Sequence, residues 1–263
     1  EDLEKTLRRI DGRGYKAYRD VRGCWDFSNY TLYVDHVQGD PFAAPSRIRV
    51  RISADSARFP SQLFSNPVRK MALADWLARS VRSAIGNSGV SRIGSGRGGV
   101  IAIDAGGQEV LERSAILVTP DWIEARLSIG LPAAGRSVLG RQAMEMLCRR
   151  LPEILERSLF WDLLPQQTIE QFVNAIENQE SIRAQLRELG LIAFVGNGSM
   201  LPRESGASDL PLQTGTAVPF LSPAKFLVTV EVPHSVNPED SSQKQISGMG
   251  VPEGVTLIVG GGY

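Results

Sequence analysis

Six residues near the start of the chain alternate strictly between arginine and aliphatic side chains. The segment Arg47–Ile52 reads RIRVRI, and such alternation is typical of a strand with one buried face. Because successive side chains of a strand point to opposite faces, the aliphatic residues must share the buried face. These are Ile48, Val50 and Ile52. The opposite face then carries three arginines, about 7 Å apart along the strand. These are Arg47, Arg49 and Arg51.

The charge of the whole chain is balanced, but its halves differ. Residues 1–100 carry 17 Lys or Arg against 10 Asp or Glu, and residues 101–263 carry 12 against 19. A split of this kind indicates a polyanionic partner for the first part. Of the 29 basic residues, 24 are arginine, which suits bidentate phosphate contacts. A GC-rich genome would produce the same arginine bias, so both explanations stay open.

The remaining composition is that of an ordinary globular protein. The 263 residues are 42% hydrophobic and 22% charged. No apolar run reaches the roughly 18 residues of a membrane span, and the charged start is not a secretory signal. We expect Cys24 and Cys148 to be free thiols in a reducing compartment. The two histidines form no Cys/His cluster in the sequence. We therefore expect a cytoplasmic protein without a membrane segment or a metal site.

Periodicity along the chain mixes helices and strands. The predicted helices are residues 3–10, Pro67–Ile85, Gly135–Leu151 with a second piece to Leu159, Thr168–Asn178 and Ser181–Leu189. The predicted strands are Tyr30–Val37, Arg47–Ile52, Val100–Ile103, Val110–Thr119, Trp122–Ile129, Leu191–Val195, Phe226–Val232 and Val255–Val259. Gly196–Pro223 lacks periodicity and is a linker or a functional loop. The pattern predicts an α+β fold, mixed sheets with helices, in three segments: 1–60, 61–220 and 221–263.

The last predicted strand runs directly into glycines. Val255–Val259 is followed by Gly260, Gly261, Gly262 and Tyr263. A phosphate-binding loop of the form G-x-x-x-x-G-K-[ST] begins in this way, because glycines let backbone N–H groups surround the phosphates. We expect these four residues to contact ATP. The lysine and the Ser/Thr that holds Mg²⁺ are not in the sequence, so we expect no catalytic residue and no ATP turnover from this chain. A glycine-rich tail without a ligand is the alternative.

Basic and aromatic residues near the arginine strand are candidates for nucleic-acid binding. Lys16, Arg19 and Arg22 would extend the basic face. Four nearby tyrosines could stack on bases: Tyr15, Tyr18, Tyr30 and Tyr33. The acids nearest in sequence, Asp35 and Asp40, are too few to balance three arginines. We therefore predict an open basic face that binds single-stranded RNA, with an ordinary solvated face as the alternative.

A glycine-rich segment lies between the predicted helix at Pro67–Ile85 and the next strand. Ser91–Gly99 reads SRIGSGRGG. Its glycines free several N–H groups beside two arginines, so it is a candidate anion cradle. A flexible connection is the alternative.

Several long stretches are specific enough to suggest a family. They are Arg8–Asp20, Tyr30–Arg51, Gly107–Ala115, Glu124–Arg136, Leu191–Gly206 and Gly248–Tyr263. In these stretches the chain resembles the N-terminal portion of the predicted ATPases of the ABC class, and the resemblance covers nearly its whole length.

The resemblance implies a fold, cofactors and partners. In that family the last stretch continues through His-Gly-Lys-Ser-Thr, so Val255–Tyr263 would be the first strand and loop start of a P-loop ABC-type α/β ATPase core. The full-length protein would use ATP and Mg²⁺ and would form a homodimer through this core. A family member is an RNA-binding protein with a basic N-terminal region, which implies coupling between the ATP cycle and RNA. The alternative is a structural or protein-interaction module that braces the ATPase core without binding nucleic acid.

Overall fold

The computed structural model describes residues 2–89, 91–213, 215, 217–237, 240–257 and 259. The chain divides into two compact units. The first unit is Glu1–Gly106 with Leu111–Ile169, and the second unit is Gly107–Val110 with Glu170–Tyr263. These units differ from the three expected segments, because strands from before residue 60 and after residue 100 share one sheet.

The first unit combines helices with a six-stranded sheet. Its helices are α1 (Leu3–Ile10), α2 (Ala54–Ala57), α3 (Pro67–Asn87), α4 (Gly140–Glu145) and α5 (Leu151–Leu159). Its strands are β1 (Gly23–Asp26), β2 (Thr31–His36), β3 (Ser46–Ser53), β4 (Ile101–Ile103), β5 (Ile116–Val118), β6 (Trp122–Ile129), β7 (Ala133–Ala134) and β8 (Ser137–Val138). The main sheet has the order β1-β2-β3-β6-β4, β5 also pairs with β6, and β7 and β8 form a separate hairpin. All of these pairings are antiparallel.

The alternating segment forms β3, as its pattern predicts. Its three aliphatic residues are at most 1% exposed and its arginines point to the opposite face. Helix α3 packs against β4, β5 and α5. It begins where predicted, because the Asn66 side chain accepts the Arg69 N–H and Pro67 opens the first turn. Its buried face includes Leu73, Leu77 and Val81.

The predicted helix at Gly135–Leu151 begins later than expected. Ala133–Val138 forms the β7–β8 hairpin, and α4 starts only at Gly140. The expected break after Leu151 is absent, because residues 140–159 form one continuous helical run and Pro152 lies within it. A π-helical turn, Met146–Arg150, joins α4 to α5.

The second unit contains a smaller sheet. One helix, α6 (Gln166–Gln185), replaces the two predicted there and crosses the boundary between the units. The strands are β9 (Leu191–Gly196), β10 (Arg203–Ser205), β11 (Ser208–Pro211), β12 (Leu227–Glu231) and β13 (Gln245–Pro252). The order β12-β13-β9 is antiparallel. Its buried cluster is Ile182, Val230 and Val232. Among the described residues, no helix combines the length and apolar character required to span a membrane.

Two features of the second unit differ from the sequence predictions. Strand β13 was not predicted, because Gly248 and Gly250 weaken its β pattern. The predicted buried strand at Val255–Val259 is not formed over Val255–Leu257, and Val255 is 97% exposed.

Candidate nucleic-acid interface

The polar face of the main sheet is built by three neighbouring strands. The register places Arg49 between Tyr33 of β2 and Arg126 of β6, and it places Arg51 opposite Glu124. This surface, the arginine face, consists of Tyr33, Asp35, Arg47, Arg49, Arg51, Trp122, Glu124 and Arg126. It carries four arginines and two carboxylates, so a net positive charge remains.

Glu124 is the centre of the arginine face. Its side chain is only 1% exposed, yet it accepts hydrogen bonds from Arg51 at 2.8 Å, from Arg49 at 3.0 Å and from Arg126 at 3.1 Å. Burial by itself raises the pKa of Glu124, but the hydrogen bonds from the three arginines outweigh it, so the pKa lies below its usual range. A buried carboxylate is tolerated here because it is multiply paired.

Asp35 and two aromatic rings hold the arginines from the other sides. Arg49 donates two hydrogen bonds to the Asp35 carboxylate, at 2.7 and 2.9 Å. The hydrogen bond from Arg49 is the main reason that the pKa of Asp35 lies below its usual value. The guanidinium of Arg49 lies 4.6 Å from the Tyr33 ring centre, and that of Arg51 lies 4.3 Å from the Trp122 ring. The two central arginines are therefore fixed.

The prediction of an open, unbalanced arginine row is wrong for Arg49 and Arg51. The balancing carboxylate, Glu124, is 75 residues from Arg49 in sequence and reaches it only because β6 pairs with β3. Counting the acidic residues near Arg49 in sequence therefore could not identify Glu124 as its partner. The signal that could have found it is the polar position of Glu124 within the predicted strand Trp122–Ile129.

The base-stacking role predicted for Tyr15 and Tyr18 is also wrong. Tyr15 is 4% exposed and Tyr18 is fully buried. Their hydroxyls donate to the carbonyls of Leu131 at 3.1 Å and Pro132 at 2.6 Å. Burial raises the pKa of both phenols far above the usual value. The two tyrosines anchor the N-terminal segment to the core.

The other predicted residues remain accessible. Lys16, Arg19, Arg22 and Arg47 are exposed, and no carboxylate of the described residues lies within 4.0 Å of their charged groups. Arg22 directly precedes β1, whose Gly23 pairs with Val34, and Arg47 pairs with His36. Arg22 and Arg47 therefore flank the end of β2 from either side, about 10 Å apart across two strand spacings.

The glycine-rich segment is packed rather than open. The N–H groups of Ile93, Ser95 and Arg97 donate to the carbonyls of Gly98, Ala133 and Pro41. A Cβ at Gly94 would overlap the Ala133 carbonyl, and one at Gly96 would overlap the Pro41 carbonyl. The anion-cradle prediction is therefore wrong for these donors, and the glycines serve close backbone packing.

The nucleotide contacts predicted for Gly260, Gly261, Gly262 and Tyr263 lie outside the described residues. Among the residues that the structure describes, no group of His, Cys, Asp or Glu side chains could hold a metal ion. The sequence Gly260-Gly261-Gly262, a run of glycines, fits the chemistry of a phosphate cradle. ATP and Mg²⁺ would supply the phosphates and the charge that such a loop surrounds.

The first unit is an α+β unit with a basic sheet face, and the sequence of the second unit contains a run of glycines after a predicted strand. Comparison with protein-family models identifies the class. The N-terminal model of the ATPases of the ABC class matches residues 1–162, and the ABC ATPase P-loop domain matches residues 165–263. The chain belongs to the ATPases of the ABC class. No curated protein matches the chain.

The two matched regions agree closely with the structural units. The family regions meet between residues 162 and 165, and the structural units meet at Ile169. The arginine face therefore belongs to the N-terminal region of the class and not to its P-loop domain.

Proposed function

We propose that this protein couples an ATP cycle to the binding of single-stranded RNA. In this proposal the P-loop domain binds ATP and Mg²⁺, and two copies associate through their ATPase cores. The N-terminal region supplies the RNA-contacting surface. Closure and opening of the dimer would change the grip of that surface on the RNA.

The observation that carries the proposal is the incomplete neutralisation of the arginine face. Glu124 and Asp35 are paired with Arg49, Arg51 and Arg126, while Arg47 keeps an exposed guanidinium beside them. Lys16, Arg19 and Arg22 continue the positive charge past β1. A fixed basic surface with exposed arginines favours phosphate oxygens as ligands.

The paired arginines have a different part in this proposal. Arg49 and Arg51 pair with carboxylates and lie over aromatic rings, so their role is to stabilise the structure of the arginine face. The partners are Asp35, Glu124, Tyr33 and Trp122. RNA phosphates would contact the accessible residues, above all Arg22 and Arg47.

A salt titration with a fluorescein-labelled oligouridylate tests the proposal. Binding to a single strand loses about 0.7 units of log–log slope per phosphate contact. We expect the double variant Arg22→Gln with Arg47→Gln to bind several-fold more weakly and to lose about 1.4 units of slope. Its fold should persist, because both side chains are exposed.

A charge-matched control separates this surface from the net charge. Lys70→Gln with Arg157→Gln removes the same charge from exposed positions on α3 and α5 and should leave the slope unchanged. If the parent protein does not bind the oligouridylate, or binds it independently of salt, the RNA proposal is refuted. Equal losses in both double variants would show that only net charge matters.

A further inference from the structure

A second basic surface lies at the end of the main sheet where β6 leads into the β7–β8 hairpin. It comprises four exposed arginines from three separate segments, and it is called the basic end. They are Arg13, Arg92, Arg97 and Arg136. These arginines lie in the segment after α1, in the glycine-rich segment and in the turn of the β7–β8 hairpin.

Backbone hydrogen bonds bring these segments side by side. The Tyr15 N–H donates to the Arg136 carbonyl at 2.7 Å, and the Val138 N–H donates to the Arg13 carbonyl at 2.8 Å. On the other side of the hairpin, the Ser95 N–H donates to the Ala133 carbonyl at 2.7 Å. The two outer segments and the two strands of the hairpin thus form a small four-stranded ribbon, about 15 Å wide across three strand spacings.

Close packing fixes the ribbon. The glycines of the segment approach neighbouring carbonyls too closely for any side chain, and Gly130 meets the Arg97 backbone in the same way. The Gly135 N–H in the hairpin turn donates to the Ser95 hydroxyl at 2.9 Å. The arginines therefore project from a preorganised backbone, which lowers the entropy cost of binding.

The basic end lacks the internal neutralisation of the arginine face. Among the described residues, no carboxylate lies within 4.0 Å of its four guanidinium groups. The nearby carboxylate of Asp40 accepts the N–H groups of Phe42 and Ala43, and that of Asp11 accepts the Gly140 N–H. Asp11 also lies 3.9 Å from Arg141, so neither acid is paired with an arginine of the basic end, and these guanidinium groups stay available to an external anion.

The basic end continues the surface of the proposed function. Arg47 lies near the start of β3 opposite Ser128, two residues before Gly130. From there to Gly130 is about 7 Å along the strand. The side chain of Phe42 is 71% exposed in the loop whose Pro41 carbonyl accepts the Arg97 N–H. An exposed ring among arginines is the composition of a single-strand-binding surface, where bases stack and phosphates pair.

We propose that the basic end is a second contact region for the same RNA strand. The strand would run from Arg47 past Phe42 to the β7–β8 hairpin. This inference rests on the proposed RNA binding, and it adds Phe42 and Arg136 to the two arginines of the glycine-rich segment. Arg92, Arg97 and Arg136 would pair with phosphates, and Phe42 would stack on a base.

The test is the oligouridylate titration between about 50 and 200 mM salt, with three variants of the protein. Arg92→Gln with Arg97→Gln and Arg136→Gln should reduce the log–log slope by about 2 units, since each contact contributes about 0.7. The corresponding triple lysine variant keeps the charge and should retain most of the slope. Phe42→Ala should weaken binding several-fold with little change of slope, because stacking is not a charge effect.

The outcomes separate this inference from the proposed function. A charge-matched control, Lys70→Gln with Arg157→Gln and Arg187→Gln, should behave as the parent. If Arg22→Gln with Arg47→Gln weakens binding while the basic-end triple variant does not, the basic end is not an RNA contact. The proposed RNA-binding function would then still hold. If the parent shows no salt-dependent binding, both fail. If the triple variant loses binding to phosphatidylserine vesicles but keeps the oligouridylate, the basic end contacts a membrane surface instead.

Discussion

The two units of the chain differ in how they bury apolar side chains. In the first unit, the apolar face of the sheet is almost completely buried, as Leu32, Val50 and Ala125 show at 0% exposure. Of the exposed large apolar side chains in the described residues, only Phe42, Leu111 and Leu163 belong to this unit. The others belong to the second unit: Leu189, Ile192, Leu201, Leu210, Val218, Leu221, Phe226, Leu227, Val236, Val255, Leu257 and Val259.

The difference in apolar burial shows which unit is stabilised mainly by its own core. Buried apolar surface contributes about 25 cal/mol per Å², and the first unit gains this from a continuous core. The second unit has five buried apolar residues in its described part: Val173, Ile176, Ile182, Val230 and Val232. Exposed apolar surface of this kind marks a region that gains stability from a protein contact. The first unit shows no comparable surface among its described residues.

Hydrogen exchange should show the largest effect. Amides of β3 and β6 should open only near the global unfolding free energy, about 5–15 kcal/mol in typical domains. Amides of β9 and β12 should open at free energies several kcal/mol lower, because less apolar area holds them. Exchange measured by mass spectrometry at two pH values checks this, because exchange through equilibrium openings rises with pH in proportion to the base-catalysed intrinsic rate. Equal protection of the two sheets would contradict the comparison.

A single buried carboxylate tests what holds the polar face of the first unit. Glu124→Gln leaves three guanidinium groups without their shared anion and should cost about 3 kcal/mol, the lower end for breaking a buried ion pair. The partial exposure of the arginines keeps the cost at that end. Urea denaturation followed by circular dichroism measures it.

The matched control lies in the second unit. Glu231 is an exposed strand residue of β12, and Glu231→Gln should change stability by less than about 0.5 kcal/mol. Similar losses in both variants would mean that Glu124 is not the organising group of the arginine face.

Local pattern was enough to predict much of the first unit. Trp122–Ile129 forms the predicted strand, and β3 buries the predicted residues. The helix at Pro67 begins at its predicted first residue. These features depend on spacing and on one or two neighbours, which a sequence displays directly.

The features that the sequence did not predict depend on distant partners. Glu124 reaches Arg49 only through sheet pairing, and the hairpin at Ala133–Val138 is held by Gly94 and Gly14 from two other segments. Tyr15 and Tyr18 were predicted to be surface residues, because their anchoring carbonyls at Leu131 and Pro132 lie more than a hundred residues away. In the candidate site, exposed basic residues were predictable, but their pairing was not.

Acid should weaken the first unit through its two paired carboxylates, and this is the smallest expected effect. The hydrogen bond from Arg49 lowers the pKa of Asp35, and hydrogen bonds from three arginines, against the opposing effect of burial, lower the pKa of Glu124. A carboxyl whose pKa is lower in the folded than in the unfolded state stabilises the fold at pH values above its unfolded pKa, about 4. This contribution is lost as the pH falls through the lowered folded pKa.

The stability contributed by these groups should therefore be constant from about pH 7 to 5 and should fall below about pH 4. Asp35→Asn should be less stable than the parent at neutral pH, and the difference should shrink at acid pH, because the parent then also loses its charged carboxylate. Urea denaturation at a series of pH values measures this difference. Glu112→Gln, an exposed loop carboxyl of the same unit, is the control and should keep a constant difference from the parent. An Asp35→Asn difference that stays the same down to about pH 3 would mean that the ion pair with Arg49 adds nothing to the stability of the arginine face.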